Sequence, residues 1–298
     1  MSGATHAARG LVLGLVGVAI FGLTLPATRL AVLELDPFFV AFGRTILAGL
    51  AAAIVLLVVR PRAPERRDWP RLVAFAFCVV LAFPVLMTVA MRYAPASHGG
   101  VVLGVLPLLT AMASVAVAGE RPSVGFWICG LLGTIAVAAF AVLSAQGSVD
   151  VHWADVLLGA AAIFAATGYA LGGELTRRLG GWEVISWALV IALPVMALLL
   201  LVVAPPINAA ASARSWGGFL YVALLSQFLG FFAWNKGLAI GGIAKVGQLQ
   251  LLQTFVTLAG AAIVLGEVVS WLEVGFAGLV AGLVALGWRM RVTTPLKD

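Results

Sequence analysis

The chain is poor in charge: 10% of its 298 residues are Asp, Glu, Lys or Arg, and 3 are His. Soluble domains carry about 25% charged residues, so this scarcity excludes an ordinary soluble fold. Cysteine is equally sparse. Cys78 and Cys129 lie in separate apolar runs without metal or redox spacing, and read as small packing residues, not a disulfide. There is no HExxH, no phosphate-binding loop and no paired carboxylate within an apolar run. An intramembrane enzyme would need one of these, so the pattern speaks against an enzyme and calls for no cofactor and no metal. The net charge is +6, yet no basic patch interleaves with aromatics, which leaves no nucleic-acid partner. Short alternating segments of the kind that build membrane barrels are lacking as well.

What the chain does have is apolar length. Hydrophobic residues make up 63% of it and the mean hydropathy is +1.13. Runs of about 20 apolar residues cross a hydrocarbon core of roughly 30 Å as helices, with membrane lipid as their solvent. The expected fold class is therefore an all-α integral membrane protein. Breaking the sequence at charge and turn clusters predicts ten spans: 11–31, 37–59, 70–91, 97–118, 123–143, 153–175, 184–204, 216–238, 244–265 and 271–290. The first apolar run is too long for a cleaved signal peptide, so it is expected to remain as a span. The loops are too short to house another domain.

Lys and Arg divide unevenly between alternate loops. With the N-terminus inside, 14 fall on the cytoplasmic side, Arg29, Arg92 and Arg214 fall opposite, and Arg44 lies inside the second span. That split predicts a multi-pass protein of the cytoplasmic membrane with both termini in the cytoplasm.

An internal repeat organises the chain. A shift of 147 positions lays Asp36 on Glu183, Trp69 on Trp216, Thr110 on Thr257, Gly119-Glu120 on Gly266-Glu267, and Ser123 on Ser270. Residues 1–147 and 148–298 then form two units of five spans each, joined by the link Gln146–His152. An odd number of spans per unit inverts one unit relative to the other. Such repeats are an architecture of secondary carriers, which hold solute between the halves near the midplane. Small residues recur at four-residue spacing in Gly100/Gly104, Gly168/Gly172, Gly237/Gly241 and Gly278/Gly282. They serve tight packing within one chain or, as the alternative, a homodimer contact.

Several stretches together resemble the drug/metabolite transporter superfamily, in particular its ten-helix EamA-type members. In the first half these are GLTLPATRLAV, DPFFVAFGRTILAGL, AMRYAPASHGG and LPLLTAMASVAVAGERPS; in the second, WNKGLAIGGIAKVGQLQLLQTFVTLAGAAIVLGEVVS. The Gly-Glu pair closing the fourth and ninth spans is the most specific of them. Two departures stand beside the likeness. Gln253-Thr254 replaces the Leu106-Pro107 of the first half, and Phe21-Gly22 stands where a tryptophan is common. The resemblance implies a central cavity lined by spans one to four and six to nine, with five and ten peripheral. It also implies export or exchange of small metabolites, amino acids among them.

The candidate substrate-binding residues are polar groups inside these spans. Gln227 lies near the middle of the eighth, and its amide suits a carboxylate or an amide, or else an interhelical hydrogen bond. Gln250, Gln253, Thr254 and Thr257 share one helical face, while Gln248 points elsewhere, toward the headgroups. Trp234 follows Gln227 by seven residues, which places it on the same face as a substrate contact, an inner gate or an interfacial anchor. Asn235 reads as interfacial. Tyr169 and Thr24 neighbour the helix-disturbing Gly168 and Pro26. Arg44 must snorkel, meet a carboxylate or face water. Glu174 and His98 are the candidate coupling groups, but neither lies at the midplane, so any proton coupling is expected to be weak. The sequence thus points to a carrier of small neutral or zwitterionic solutes. A membrane scaffold or sensor is the alternative, ahead of an intramembrane enzyme or a channel.

Overall fold

A computed structural model of the chain describes residues 3–94, 96–144, 153–265 and 271–293. The link Gln146–His152, Gly266-Glu267, Ser270 and Lys297 lie outside them. Among the described residues, eight helices are long and apolar enough to cross a membrane: α1 (His6–Glu34), α2 (Pro37–Val59), α3 (Trp69–Tyr93), α4 (His98–Ala118), α6 (Trp153–Thr176), α7 (Gly181–Val203), α8 (Ala213–Gly241) and α9 (Ile243–Val264). Two further apolar helices, α5 (Val124–Ser144) and α10 (Trp271–Arg289), complete the all-α membrane fold. A two-residue antiparallel ladder pairs β1 (Arg121–Pro122) with β2 (Val292–Thr293), tying the start of α5 to the end of α10.

Helix packing repeats under exchange of the halves. α1 lies against α8 and α6 against α3, while α2 pairs with α7, α4 with α9 and α5 with α10. Departures from regular helix repeat too. A π-helical segment occupies Ala76–Ala82 in α3 and another Tyr221–Leu229 in α8, and 3-10 turns occupy Leu103–Val105 in α4 and Leu249–Leu252 in α9. Moved on by 147 positions, residues 76–82 and 103–105 fall within the second member of each pair. The repeat is therefore built into the backbone and is not confined to side chains.

The α2/α7 pair keeps a different register. Both helices have 23 residues, begin at Pro37 and Gly181, and end in the left-handed Arg60 and Ala204. The offset there is 144, so Asp36 corresponds to Gly180 and not to Glu183. The chemistry agrees: Asp36 caps its helix by accepting from the N–H groups of Phe38 (2.8 Å) and Phe39 (3.2 Å), with Pro37 in the first turn.

Proline frees carbonyls inside the bundle, and neighbouring helices satisfy them. Pro26 has no N–H to offer Gly22 O, and α1 breaks at Leu23; Thr257 Oγ1 donates to Gly22 O at 2.7 Å. Pro84 likewise leaves Val80 O, which accepts from Thr45 Oγ1 at 3.3 Å. Lipid offers no partner for such groups, so each threonine also pins one helix to another.

Three of the four glycine pairs are consumed by packing within the chain. A Cβ on Gly10 would lie 2.5 Å from Gly241 Cα, and one on Gly237 would lie 2.9 Å from Gly14 N, so α1 and α8 touch backbone to backbone. Gly100 and Gly104 meet Thr257 and Val137, and Gly168 and Gly172 meet Val79 and Phe75. A Cβ on Gly278 or Gly282 of α10 would meet nothing within 4 Å among the described residues.

Candidate functional site

The two ends of the bundle differ in their electrostatics. At one end the buried Glu120 carboxylate accepts from the N–H groups of Ile243 (2.9 Å) and Ala244 (2.8 Å) and from Arg177 Nη2 (3.2 Å). It thereby caps α9 behind Gly242, whose φ of +90° makes the tight turn from α8. Arg71 pairs with Glu174 at 3.0 Å and Arg178 with Asp68 at 2.8 Å beside it. At the opposite end Ser212 donates to Glu34 at 2.6 Å, Arg29 and Arg92 bond the carbonyls of Met91 and Val32, and His98 Nε2 meets Asp155 Oδ1.

Between the ends lies a cavity of about 20 Å³, room for about one water molecule. Thr24 and Arg44 from the first half line it together with Tyr169, Ser226, Gln227 and Gln253 from the second. Phe21, Leu25, Val79, Phe83, Leu103 and Phe231 supply its apolar walls. A smaller chamber of about 10 Å³ adjoins it, sharing Leu103 and Gln253 and lined also by Gln250, Thr254 and Thr257. Beneath the main cavity, toward the Glu120 end, Phe21, Tyr169, Phe231 and Trp234 form an aromatic layer. Tyr169 and Trp234 are edge to face at 5.3 Å, and Phe21 lies 5.0 Å from Phe231.

Arg44 is 1% exposed and donates from Nη2 to Val222 O at 3.0 Å and to Ser226 Oγ at 3.4 Å. Its Nε and Nη1 have no hydrogen-bond partner among the described residues, and neither do Gln227 Nε2 and Gln253 Oε1. Thr24 Oγ1 and Ser226 Oγ share a 2.8 Å hydrogen bond across the cavity wall. Of the three outcomes open to Arg44, facing the cavity is the one realised, with no carboxylate beside it among the described residues.

The other candidates divide. Thr254 and Thr257 spend their hydroxyls on Gly100 O (3.1 Å) and Gly22 O (2.7 Å), and Gln250 Oε1 accepts from Thr110 at 3.4 Å. These three brace α9 as well as line the smaller chamber. Trp234 is fully buried, so it is not an interfacial anchor, and it does not line the cavity. The π-helical pitch around Gln227 ends at Leu229 and turns the indole under the cavity. Asn235, expected at the interface, is fully buried and donates to Gly181 O at 3.4 Å. Gln248, expected at the headgroups, is 2% exposed and packs on Gly287 of α10. Glu174 and His98 sit at opposite ends of the bundle, each against a charged residue of another helix, and neither lines the cavity. Ser226 is the polar lining residue that sequence reasoning missed. Its signal was adjacency to Gln227, muted because a serine in a membrane helix commonly bonds its own backbone.

Comparison with known proteins agrees with this architecture. The EamA-like transporter family matches residues 8–142 and again 152–288. The chain is similar to the uncharacterized transporter YdeK of Bacillus subtilis (strain 168), at 43% identity over 262 residues that cover 88% of this chain and 91% of that protein. It is also similar to the uncharacterized transporter YvbV of the same organism, at 24% identity over 90% of this chain and 86% of that one. A crystal structure with 18% sequence identity superposes with a TM-score of 0.74 over 94% of this chain and 96% of its own, a likeness of fold. Two matched segments that take in nearly all the described helices, and a relative sharing more than two residues in five, place this chain in the EamA-like transporter family, as a multi-pass membrane transporter and not an enzyme.

Proposed function

We propose that the protein is an alternating-access carrier that exports or exchanges small neutral or zwitterionic metabolites, amino acids or similar solutes, through the cavity between α1, α2, α3, α4, α6, α8 and α9. One observation carries this reading. Thr24 and Arg44 of the first half and Ser226, Gln227 and Gln253 of the second converge on one enclosed space, with donors and acceptors left unpaired. Buried polar atoms in a membrane are costly without partners, which favours a site meant to be wetted or filled. The cavity holds about one water, so a solute enters when the halves part on one side. The repeated π and 3-10 segments supply matched flexible points for that motion.

The two halves, residues 1–147 and 148–298, act as the inverted units. The Glu120 end faces the cytoplasm, with both termini, in the cytoplasmic membrane, since the Lys and Arg residues gather there. Glu174 and His98 lie away from the cavity, which favours uniport or exchange over strong proton coupling. The test is counterflow in proteoliposomes with a labelled panel of amino acids and related metabolites. Gln227→Ala and Gln253→Ala are each expected to lower exchange about tenfold or more, as expected for loss of a buried polar contact to solute. Unchanged uptake of every transported solute in both variants would overturn the site.

A further inference from the structure

Resting on the carrier reading, we propose that Arg44 makes a carboxylate the obligatory group of the transported solute, and that the solute's amino group, where there is one, is dispensable. Several donors of this site are unpaired. Arg44 presents Nε and Nη1 without partners among the described residues, although it is 1% exposed, and Gln227 adds an unpaired Nε2. The hydroxyls of Thr24 and Ser226 lie beside them. Two unpaired guanidinium N–H groups, in a cavity that also holds an unpaired amide N–H and hydroxyls, suit a carboxylate.

An ammonium finds no equivalent. Among the described residues no Asp or Glu lines the cavity, which leaves neutral oxygens, those of the glutamine amides, Tyr169 and the hydroxyls, to receive one. Val79, Phe83 and Leu103 line the same cavity, which suits an apolar body. The cation is also not repeated. The α2 register places Ala188 of α7 at the position corresponding to Arg44, so the charge belongs to one half alone and orients the solute within the cavity. A monocarboxylate with an apolar body, of which an apolar amino acid is one example, gives the unpaired Arg44 and Gln227 donors an acceptor, and where an amino group is present the Gln253 carbonyl oxygen can receive it.

The test is isothermal titration of the purified full chain in detergent with matched sets of ligands. These are leucine, phenylalanine and methionine, the three 2-oxo acids with the same side chains, and the three amino-acid amides. At least one side chain is expected to give binding, its 2-oxo acid and amino acid within about tenfold of each other and its amide weaker by about 10- to 100-fold, the range of a charge-assisted hydrogen bond in a buried site. Arg44→Gln is expected to erase the gap between acid and amide. Arg44→Lys keeps the gap at lower affinity and guards against a folding defect in the Gln variant. An amide that binds as tightly as its acid, a gap that survives Arg44→Gln, or a panel without any binding would overturn the assignment. Counterflow keeps the two readings apart. Carboxylate-selective binding without exchange supports this ligand assignment and counts against the carrier. Exchange that is equal for acids and amides overturns the assignment and supports the carrier.

Discussion

Thr257 Oγ1 donates to Gly22 O at 2.7 Å, and Gly22 O is the carbonyl that Pro26 leaves without its helical donor. A single proline in α1 therefore accounts for a polar residue buried in α9. Thr257→Val keeps the shape and removes the donor, and is expected to cost about 1 kcal/mol, the usual worth of such a bond in a membrane. In a Pro26→Ala background the restored N–H competes for the same carbonyl, so the second cost should shrink. Thermal unfolding of the four proteins in detergent measures the coupling, and additive costs would show that the two residues act independently.

Glu120 holds three elements at once, through two backbone N–H groups of α9 and Arg177 after α6. Glu120→Gln retains one acceptor for the α9 cap and loses the charge, whereas Glu120→Ala loses both. Midpoints of thermal unfolding are expected to fall in the order wild type, Gln, Ala, with the Ala variant down by about 3 kcal/mol as for a broken buried pair. Equal midpoints for all three would rule out the clamp.

The backbone contact between α1 and α8 leaves no volume for a methyl group at Gly10 or Gly237. Gly237→Ala must push the helices apart, and exchange in proteoliposomes is expected to fall severalfold or become leaky. Gly278→Ala on α10 meets nothing within 4 Å and should leave exchange as it was. If the two behave alike, close approach at the Glu120 end has no part in transport.

Glu174 is bonded to Arg71, and His98 to Asp155, at the margins of the bundle. Glu174→Gln and His98→Ala are each expected to keep exchange within about twofold and to leave any response to a pH gradient unaltered, because groups outside the cavity cannot shuttle protons with the solute. Uphill transport that disappears in either variant would assign that residue a coupling role.

Topology can be read from single cysteines in a chain without Cys78 and Cys129, both of which are free and buried. With the Glu120 end inside, Asn208→Cys should react with a membrane-impermeant thiol reagent in intact cells, and Arg62→Cys should not. The reverse pattern would invert the whole orientation.

Much of the architecture could be read from residues alone, because lipid imposes it. Apolar runs of spanning length dictate helices, and a shared offset of 147 exposes the repeat wherever both copies keep a distinctive residue. The membrane-facing half of the problem is one of composition, and composition is local. Gln227 and Gln253 were legible as residues facing the interior cavity, since an amide deep in a span is costly against lipid. Register within the α2/α7 pair was not legible: it depends on where each helix is capped, and Asp36 and Gly180 do not resemble each other. Nor were the true positions of Trp234, Asn235 and Gln248, for which helical periodicity misleads once π and 3-10 turns change the pitch. Thr254 and Thr257 looked like solute contacts, yet their hydroxyls answer backbone carbonyls on other helices that no local pattern marks. Sequence settled that this chain crosses the membrane in two related halves. Only the packed helices decided that Arg44 has no acidic neighbour among the described residues in the cavity it faces, because the absence of a counterion is a property of everything around a charge and not of the residue that bears it.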